Sequence, residues 1–353
     1  MRKGERFVKN SFMGVTRRVI CFILCLVITP QMLDVSFIET SAEDICYAEE
    51  AMRAMSEGFY AFEESIDLSR FNISPEDIGT LFSGVTKNDP YLFFVDNHLS
   101  FSYKEDGYVT SVRPRYSMSK GEAYQRVAYC REEVERAAAL VGKGKSQAER
   151  ALLVHDMLCL GFEYDLSLES RDLYGFFVNK KGTCQGYAWA YMAILREIGI
   201  ECEFAASDSI EHIWNLVKID GEWYHVDVTW DDPPTKNHTS GSISRRHFLC
   251  SDKRATEQGH KDWYSASGVE CASQSYDGVD FNNVIHSLHV SGDIDANGNA
   301  ELYDLLMMRR LVENTEIALS SFCPLCADAD VDEALTESDV ELLRKRLLLS
   351  PPS

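Results

Sequence analysis

Gly182-Thr183-Cys184-Gln185-Gly186-Tyr187-Ala188-Trp189-Ala190 opens the stretch that decides the fold. Glu211-His212-Ile213-Trp214-Asn215 and Tyr224-His225-Val226-Asp227-Val228-Thr229-Trp230-Asp231-Asp232-Pro233 complete it. The pattern predicts a helix from Cys184 to about Ile198, closed by Gly199 just past its end. Glu201 to Ala205 reads as a strand, and a hairpin follows with Asp220-Gly221 as its two-residue turn. A cysteine at a helix start, then a histidine and an aspartate on neighbouring strands, is the order that thiol acyl transfer needs.

Thr183 is placed to cap the helix, so the Cys184 thiol faces the positive end of the helix dipole, which favours thiolate. Backbone N–H groups at that helix start are free to receive an oxyanion. Gly182 and Gly186 remove side chains on either side of Cys184, and we expect a substrate backbone to approach there. In the hairpin, a two-residue turn at Asp220-Gly221 pairs residues whose numbers sum to 441. Trp214 then lies opposite Asp227 and His212 opposite Thr229. His212 and Asp227 become diagonal neighbours on one face, with Cα atoms roughly 7–8 Å apart, within hydrogen-bonding reach of their side chains. Ile213, Val217, Ile219, Tyr224, Val226, Val228 and Trp230 form the expected core face, with Asn215 the one polar residue on it. Spacing does not choose the imidazole, because His225 shares the face of Asp227 two residues away.

Outward from this stretch, Ala42 to Ser56 reads as a helix and Ser74-Pro75-Glu76-Asp77 as a helix start. Tyr91 to Val95, His98 to Tyr103 and Tyr108 to Val112 read as strands, with turns at Asp96-Asn97 and Asp106-Gly107. Ser119 to Glu122 and Ser146 to Glu149 are capping boxes. The basic leader with Arg2, Lys3, Arg6, Lys9, Arg17 and Arg18 precedes an apolar run, Val19 to Thr29, too short to span a bilayer. With Thr40-Ser41-Ala42 as the cleavage point, this predicts an export signal over 1–42, no stable membrane span after its removal, and a secreted or cell-surface protein. The net charge of −21 excludes a nucleic-acid surface, since phosphates would be repelled. Two of the eleven cysteines leave with the signal; the odd remainder of nine leaves at least one free thiol, for which Cys184 is the candidate. Cys323-Pro-Leu-Cys326 has metal-ligand spacing but no second pair nearby to complete a zinc site.

The Gly-Thr-Cys-Gln-Gly-Tyr-Ala run, the His-Ile-Trp-Asn pattern and Trp-Tyr-His-Val-Asp-Val-Thr-Trp-Asp-Asp-Pro together resemble the transglutaminase-like superfamily, and more narrowly its bacterial secreted members. Phe162-Glu163-Tyr164-Asp165 and His247-Phe248-Leu249-Cys250-Ser251-Asp252 extend the resemblance over about Asp156 to Trp263. The resemblance implies a papain-like α+β fold and a catalytic set of Cys184, His212 and Asp227, which selects His212 over His225. It implies an acyl-enzyme formed on peptide or protein substrates without an organic cofactor. That acyl group passes to water in a peptidase or amidase, or to an amine in a cross-linking enzyme. A non-catalytic binding subunit is the further alternative. Asp231 and Asp232 are expected to shape the loop rather than react.

An internal repeat closes the chain, its copies thirty-five residues apart. Asp293, Asp295, Asn297, Asn299 through its carbonyl, Glu301 and Asp304 occupy the ligand positions of an EF-hand-type calcium loop, with Gly298 at the sharp sixth position. Asp328, Asp330, Asp332, Ala334 through its carbonyl, Thr336 and Asp339 repeat the pattern, with Glu333 in place of the glycine. Helices are expected after each loop. Two loop–helix units ending in Asp resemble a type I dockerin, a small all-α calcium module that docks a cohesin module of a scaffoldin. The expected organisation is therefore a signal (1–42), a lead-in (43–150), a catalytic core (151–264), a linker (265–287) and a dockerin (288–350).

Overall fold

A computed structural model describes residues 4–9, 42–104, 107–141, 145–232, 244–265, 267–281, 284, 292, 294, 300, 302–312, 324–327, 329 and 335–349. The expected apolar leader Val19–Thr29 and most of both calcium loops lie outside them. Among the described residues no helix is long and apolar enough to cross a membrane. They divide into two compact units: residues within 1–126 and 264–269, and residues within 127–263 and 270–353.

In the first unit an antiparallel sheet runs in the order β1-β3-β4-β2, from β1 (Gly4–Lys9), β2 (Ile66–Asp67), β3 (Val95–Tyr103) and β4 (Val109–Tyr116). Helices α1 (Ala42–Ala61) and α2 (Ile78–Asn88) accompany it. Three sequence expectations change here. The strand expected from Tyr91 to Val95 is a turn up to Phe94, where the Val95 N–H bonds the Leu92 carbonyl (2.9 Å). The predicted turn at Asp96-Asn97 is absorbed into β3, because Asp96 accepts the His98 backbone N–H (3.2 Å) and the pairing shifts register between Val95 and Leu99, a bulge rather than a reversal. Helix α2 starts at Ile78, after a turn in which Ser74 Oγ bonds Asp77. Residues 4–9, which belong to the expected signal, pair with β3 as an edge strand.

The second unit carries the sequence-deciding stretch. Helix α3 (Lys120–Val141) leads into it, and α4 (Gln147–Gly161) follows with both halves of the Ser146/Glu149 capping box formed. β5 (Glu163–Tyr164) and β6 (Lys181–Gly182) pair in parallel on either side of α5 (Leu173–Asn179). Helix α6 (Cys184–Glu197) is buried along most of its length, from Gly186 to Leu195, and Gly199 follows it at φ +78°. It lies against a three-stranded antiparallel run of β7 (Cys202–Ser207), β8 (His212–Ile219) and β9 (Glu222–Val226).

The hairpin register is the expected one, with Ile219 opposite Glu222 and Asn215 opposite Val226. Pairing stops there. Val228–Asp231 is a helical turn, α7, rather than a continued strand, because Asp227 Oδ1 accepts the Trp230 N–H (3.1 Å) and caps it. Ile213 to Val217 is buried on both faces, so the strand has no open side, and Asn215 is satisfied by donating to the Ala188 carbonyl (3.0 Å). The expected linker is core over part of its length. Cys271 is fully buried, Asp277 accepts from Ser251, and Phe281 meets Phe248 edge-on (4.8 Å). At the C-terminus, α9 (Leu302–Val312) and α11 (Glu337–Leu349) pack together, with the short α10 (Pro324–Ala327) between them in sequence.

Candidate active site

Cys184 is the first residue of α6, so its thiol sits where backbone N–H groups are unsatisfied and the dipole is positive. Thr183 stands at the N-cap position but makes no side-chain capping bond, contrary to expectation. The two glycines flanking the thiol also have a different role from the expected one. A Cβ on Gly182 would lie 2.3 Å from the Phe176 ring, and one on Gly186 2.9 Å from it, with the Ser170 carbonyl at 3.3–3.4 Å from both. They are glycines so that Phe176 can pack against the start of α6, which fixes where Cys184 points.

His212 opens β8 and Asp227 directly follows β9, and the hairpin brings His212 Nε2 to 2.7 Å from Asp227 Oδ2. Cys184 is the second neighbour, after Asp227, that favours the charged form of the same imidazole. Trp230 stacks on His212 at 5.0 Å and 14°. Burial works against an imidazolium here. The Asp227 charge and hydrogen bond, followed by Cys184, outweigh it and raise His212 to about 10. Burial likewise works against the Asp227 carboxylate, but His212 and then His260 hold it far below the usual carboxylate range. The three expected residues are together.

The rival histidine is excluded by its partners. His225 Nδ1 accepts the Trp214 indole N–H (2.9 Å), which places the ring proton on Nε2, facing Asp252 (2.8 Å). Burial depresses its affinity for a second proton more than Asp252 restores it. His225, Asp252 and Cys271 are close enough together to hold a metal ion, but a protonated Nε2 has no lone pair to give one. In the other such group, His212, Asp227 and His260, both imidazoles already spend Nε2 on Asp227.

Three features escaped the sequence reading. His260 Nε2 lies 2.8 Å from Asp227 Oδ2, on a residue thirty-three positions further along. Tyr164 pairs with Gly182, and burial followed by the neighbouring Cys184 holds its phenol above the usual range. Behind the site runs a buried relay: His155 Nδ1 to Asp156 (2.7 Å), His155 Nε2 to Asp231 (3.2 Å), and His247 Nδ1 to Asp231 (2.9 Å), with Arg245 on Asp156. Burial opposes the charge on His155, yet its two carboxylate bonds raise it to about 9. Asp231 thus shapes the segment after β9, as expected, and Asp232 accepts from Tyr187. Cys159, Cys184, Cys202, Cys250 and Cys271 are free thiols.

Residues 134–228 match the family model of the transglutaminase-like superfamily, a span that takes in Cys184, His212 and Asp227. The chain carries a transglutaminase-like domain. Among curated proteins, the mouse kyphoscoliosis peptidase is 26% identical over 116 residues, 27% of this chain, and the human protein is 25% identical over the same length. The match spans only 18% of either relative's own length. A crystal structure of a TGase aligns with 40% of this chain and 46% of its own at 14% identity and a TM-score of 0.27, too low to support a fold argument.

Proposed function

We propose that this transglutaminase-like domain is a thiol acyl-transfer enzyme acting on peptide or side-chain amides, and that it is a hydrolase. The observation that carries this is the His212–Asp227 pair at 2.7 Å, with Cys184 opening the helix beside it and favouring the imidazolium. The Cys184 sulfur attacks the amide carbon, and the oxygen gains charge at the free N–H groups opening α6. His212 gives its proton to the departing amine as the C–N bond breaks, leaving a thioester. Water then attacks the thioester carbon, His212 takes a proton from it, and the thiolate leaves as the acid product forms. Asp227 holds the imidazole in the orientation both steps require.

Mass spectrometry of a mixed peptide pool tests this with and without an added primary amine. Hydrolysed products that vanish in Cys184→Ala, by about a thousandfold or more, are expected. Unchanged turnover in that variant would sink the enzyme reading, and amine-tagged glutamines would replace hydrolysis by cross-linking.

We further propose that the enzyme is exported and carried on a scaffoldin by a calcium-dependent dockerin–cohesin contact. The support is a repeated hydrogen bond. Asp304 Oδ1 accepts the Ile294 N–H (2.8 Å), and thirty-five residues on, Asp339 Oδ1 accepts the Ala329 N–H (2.7 Å). Both carboxylates are fully buried and fold the twelfth loop position back over the second. Buried carboxylates held this way are the hard-oxygen donors that calcium uses. Asp304 with its loop, and Thr336 and Asp339 with theirs, would hold the ions. Cohesin binding is expected to disappear with chelator and to weaken in Asp293→Ala; binding indifferent to calcium overturns this part alone.

A further inference from the structure

The Asp227 carboxylate takes three donors: the Trp230 N–H on Oδ1, and two imidazoles on Oδ2, His212 at 2.7 Å and His260 at 2.8 Å. The second imidazole is held with care. His260 follows helix α8 (Asp252–Glu257) and bonds back to the Ala255 carbonyl (2.9 Å). Gly259 before it has φ +116° and lies against the Trp230 ring, where a Cβ would stand 3.5 Å away. Lys261 after it receives the Ser207 hydroxyl, and Ser207 is the β7 partner of His212. The segment is therefore tied to the strand pair that presents His212. The His260 ring also meets Trp230 at 4.2 Å and Trp214 at 4.5 Å, the two indoles that flank His212.

All this places a ring that is almost completely buried, with Nδ1 left without a hydrogen-bond partner among the described residues. A buried polar atom left unmatched disfavours the fold. A ring kept only for packing would be better apolar. What this ring supplies is its one N–H, directed at the oxygen that His212 uses. An ionised carboxylate only accepts, so the Nε2 that faces Asp227 Oδ2 carries the proton.

We propose that His260 is a positioning residue, the fourth member of a Cys184–His212–Asp227–His260 chain, whose Nε2–H keeps the Asp227 carboxylate ionised and its Oδ2 aligned with His212. The inference rests on the proposed role of the thiol site, but its test does not need the natural substrate. It acts through Asp227 and touches neither Cys184 nor the substrate.

Alkylation of Cys184 by iodoacetamide reads the thiolate directly. Peptide mapping separates Cys184, which is partly exposed, from Cys130, Cys159, Cys202, Cys250, Cys271 and Cys326, which are buried. His260→Leu should slow Cys184 alkylation at neutral pH by about tenfold, the scale on which loss of an orienting partner is felt. His260→Gln, whose amide places an N–H near the position of Nε2, should recover most of that loss. Circular dichroism and the melting midpoint show whether each variant is folded. A folded His260→Leu protein that alkylates at the wild-type rate overturns the proposal, as does a folded His260→Gln protein no faster than His260→Leu. If His260→Leu does not fold, nitrogen-15 NMR of histidine-labelled wild type decides: His260 should show the Nε2–H tautomer, and an Nδ1–H tautomer overturns it. Normal alkylation behaviour with no peptide turnover would instead fault the proposed reaction while leaving His260 in its role.

Discussion

His212 and His225 sit on adjacent strands of one hairpin, each with a carboxylate partner under 3 Å away, yet the fold drives them in opposite directions. Asp227 and Cys184 make His212 a cation over the physiological range, raised to about 10. Trp214 spends its indole N–H on His225 Nδ1, and burial holds that ring neutral. A histidine beside an aspartate is thus not a function. What else surrounds the ring decides: a thiol that favours its charge in one case, an indole donor on its second nitrogen in the other.

The largest expected contrast is between the two carboxylates. Asp227→Asn should lower turnover by about 10³–10⁴-fold, since the amide cannot stabilise the imidazolium and favours the wrong tautomer. Asp252→Asn should keep turnover within a few-fold. Equal losses in steady-state assays would abolish the distinction drawn here. Next comes His225→Ala, which strands the buried Trp214 N–H and empties a packed site. We expect a loss of about 2–4 kcal/mol by urea denaturation, with activity per folded molecule nearly unchanged.

The smallest effect is in the pH dependence of stability. His212, raised from 6.5 to about 10, contributes stability that is fully present below pH 6.5 and fades as pH rises through about 10. His155 adds to the alkaline loss, with its contribution fading as pH rises through about 9. His225, lowered, contributes stability above pH 6.5 that is lost as pH falls below it. Melting midpoints should therefore fall on both sides, and His225→Gln should flatten the acid side alone. An unchanged acid slope in that variant would show that His225 titrates alike in the folded and unfolded chain.

Residues close in sequence carried the parts that proved legible. The Asp220-Gly221 turn set the hairpin register, because two residues with positive φ (51° and 94°) match the twist of the flanking strands. That register put His212 and Asp227 within reach, and Gly199 and the Ser146/Glu149 box closed or opened helices where expected. The hairpin strand was expected to run through Trp230, but Asp227 turned out to cap a helical turn with Oδ1 while serving His212 with Oδ2. One carboxylate with two acceptors can do both, and pattern alone does not show it.

By itself, then, the sequence determined the order of thiol, imidazole and carboxylate, the hairpin that joins the last two, and a repeat with an aspartate at each twelfth position. Only the tertiary structure showed what each imidazole bonds to, why glycines flank Cys184, and that His260 shares the carboxylate. Periodicity and turn chemistry act over a few residues and are written locally. The protonation state and tautomer of a buried ring depend on donors and acceptors brought from distant segments: Trp214 for His225, Phe176 for the glycines, and the turn after α8 for Asp227.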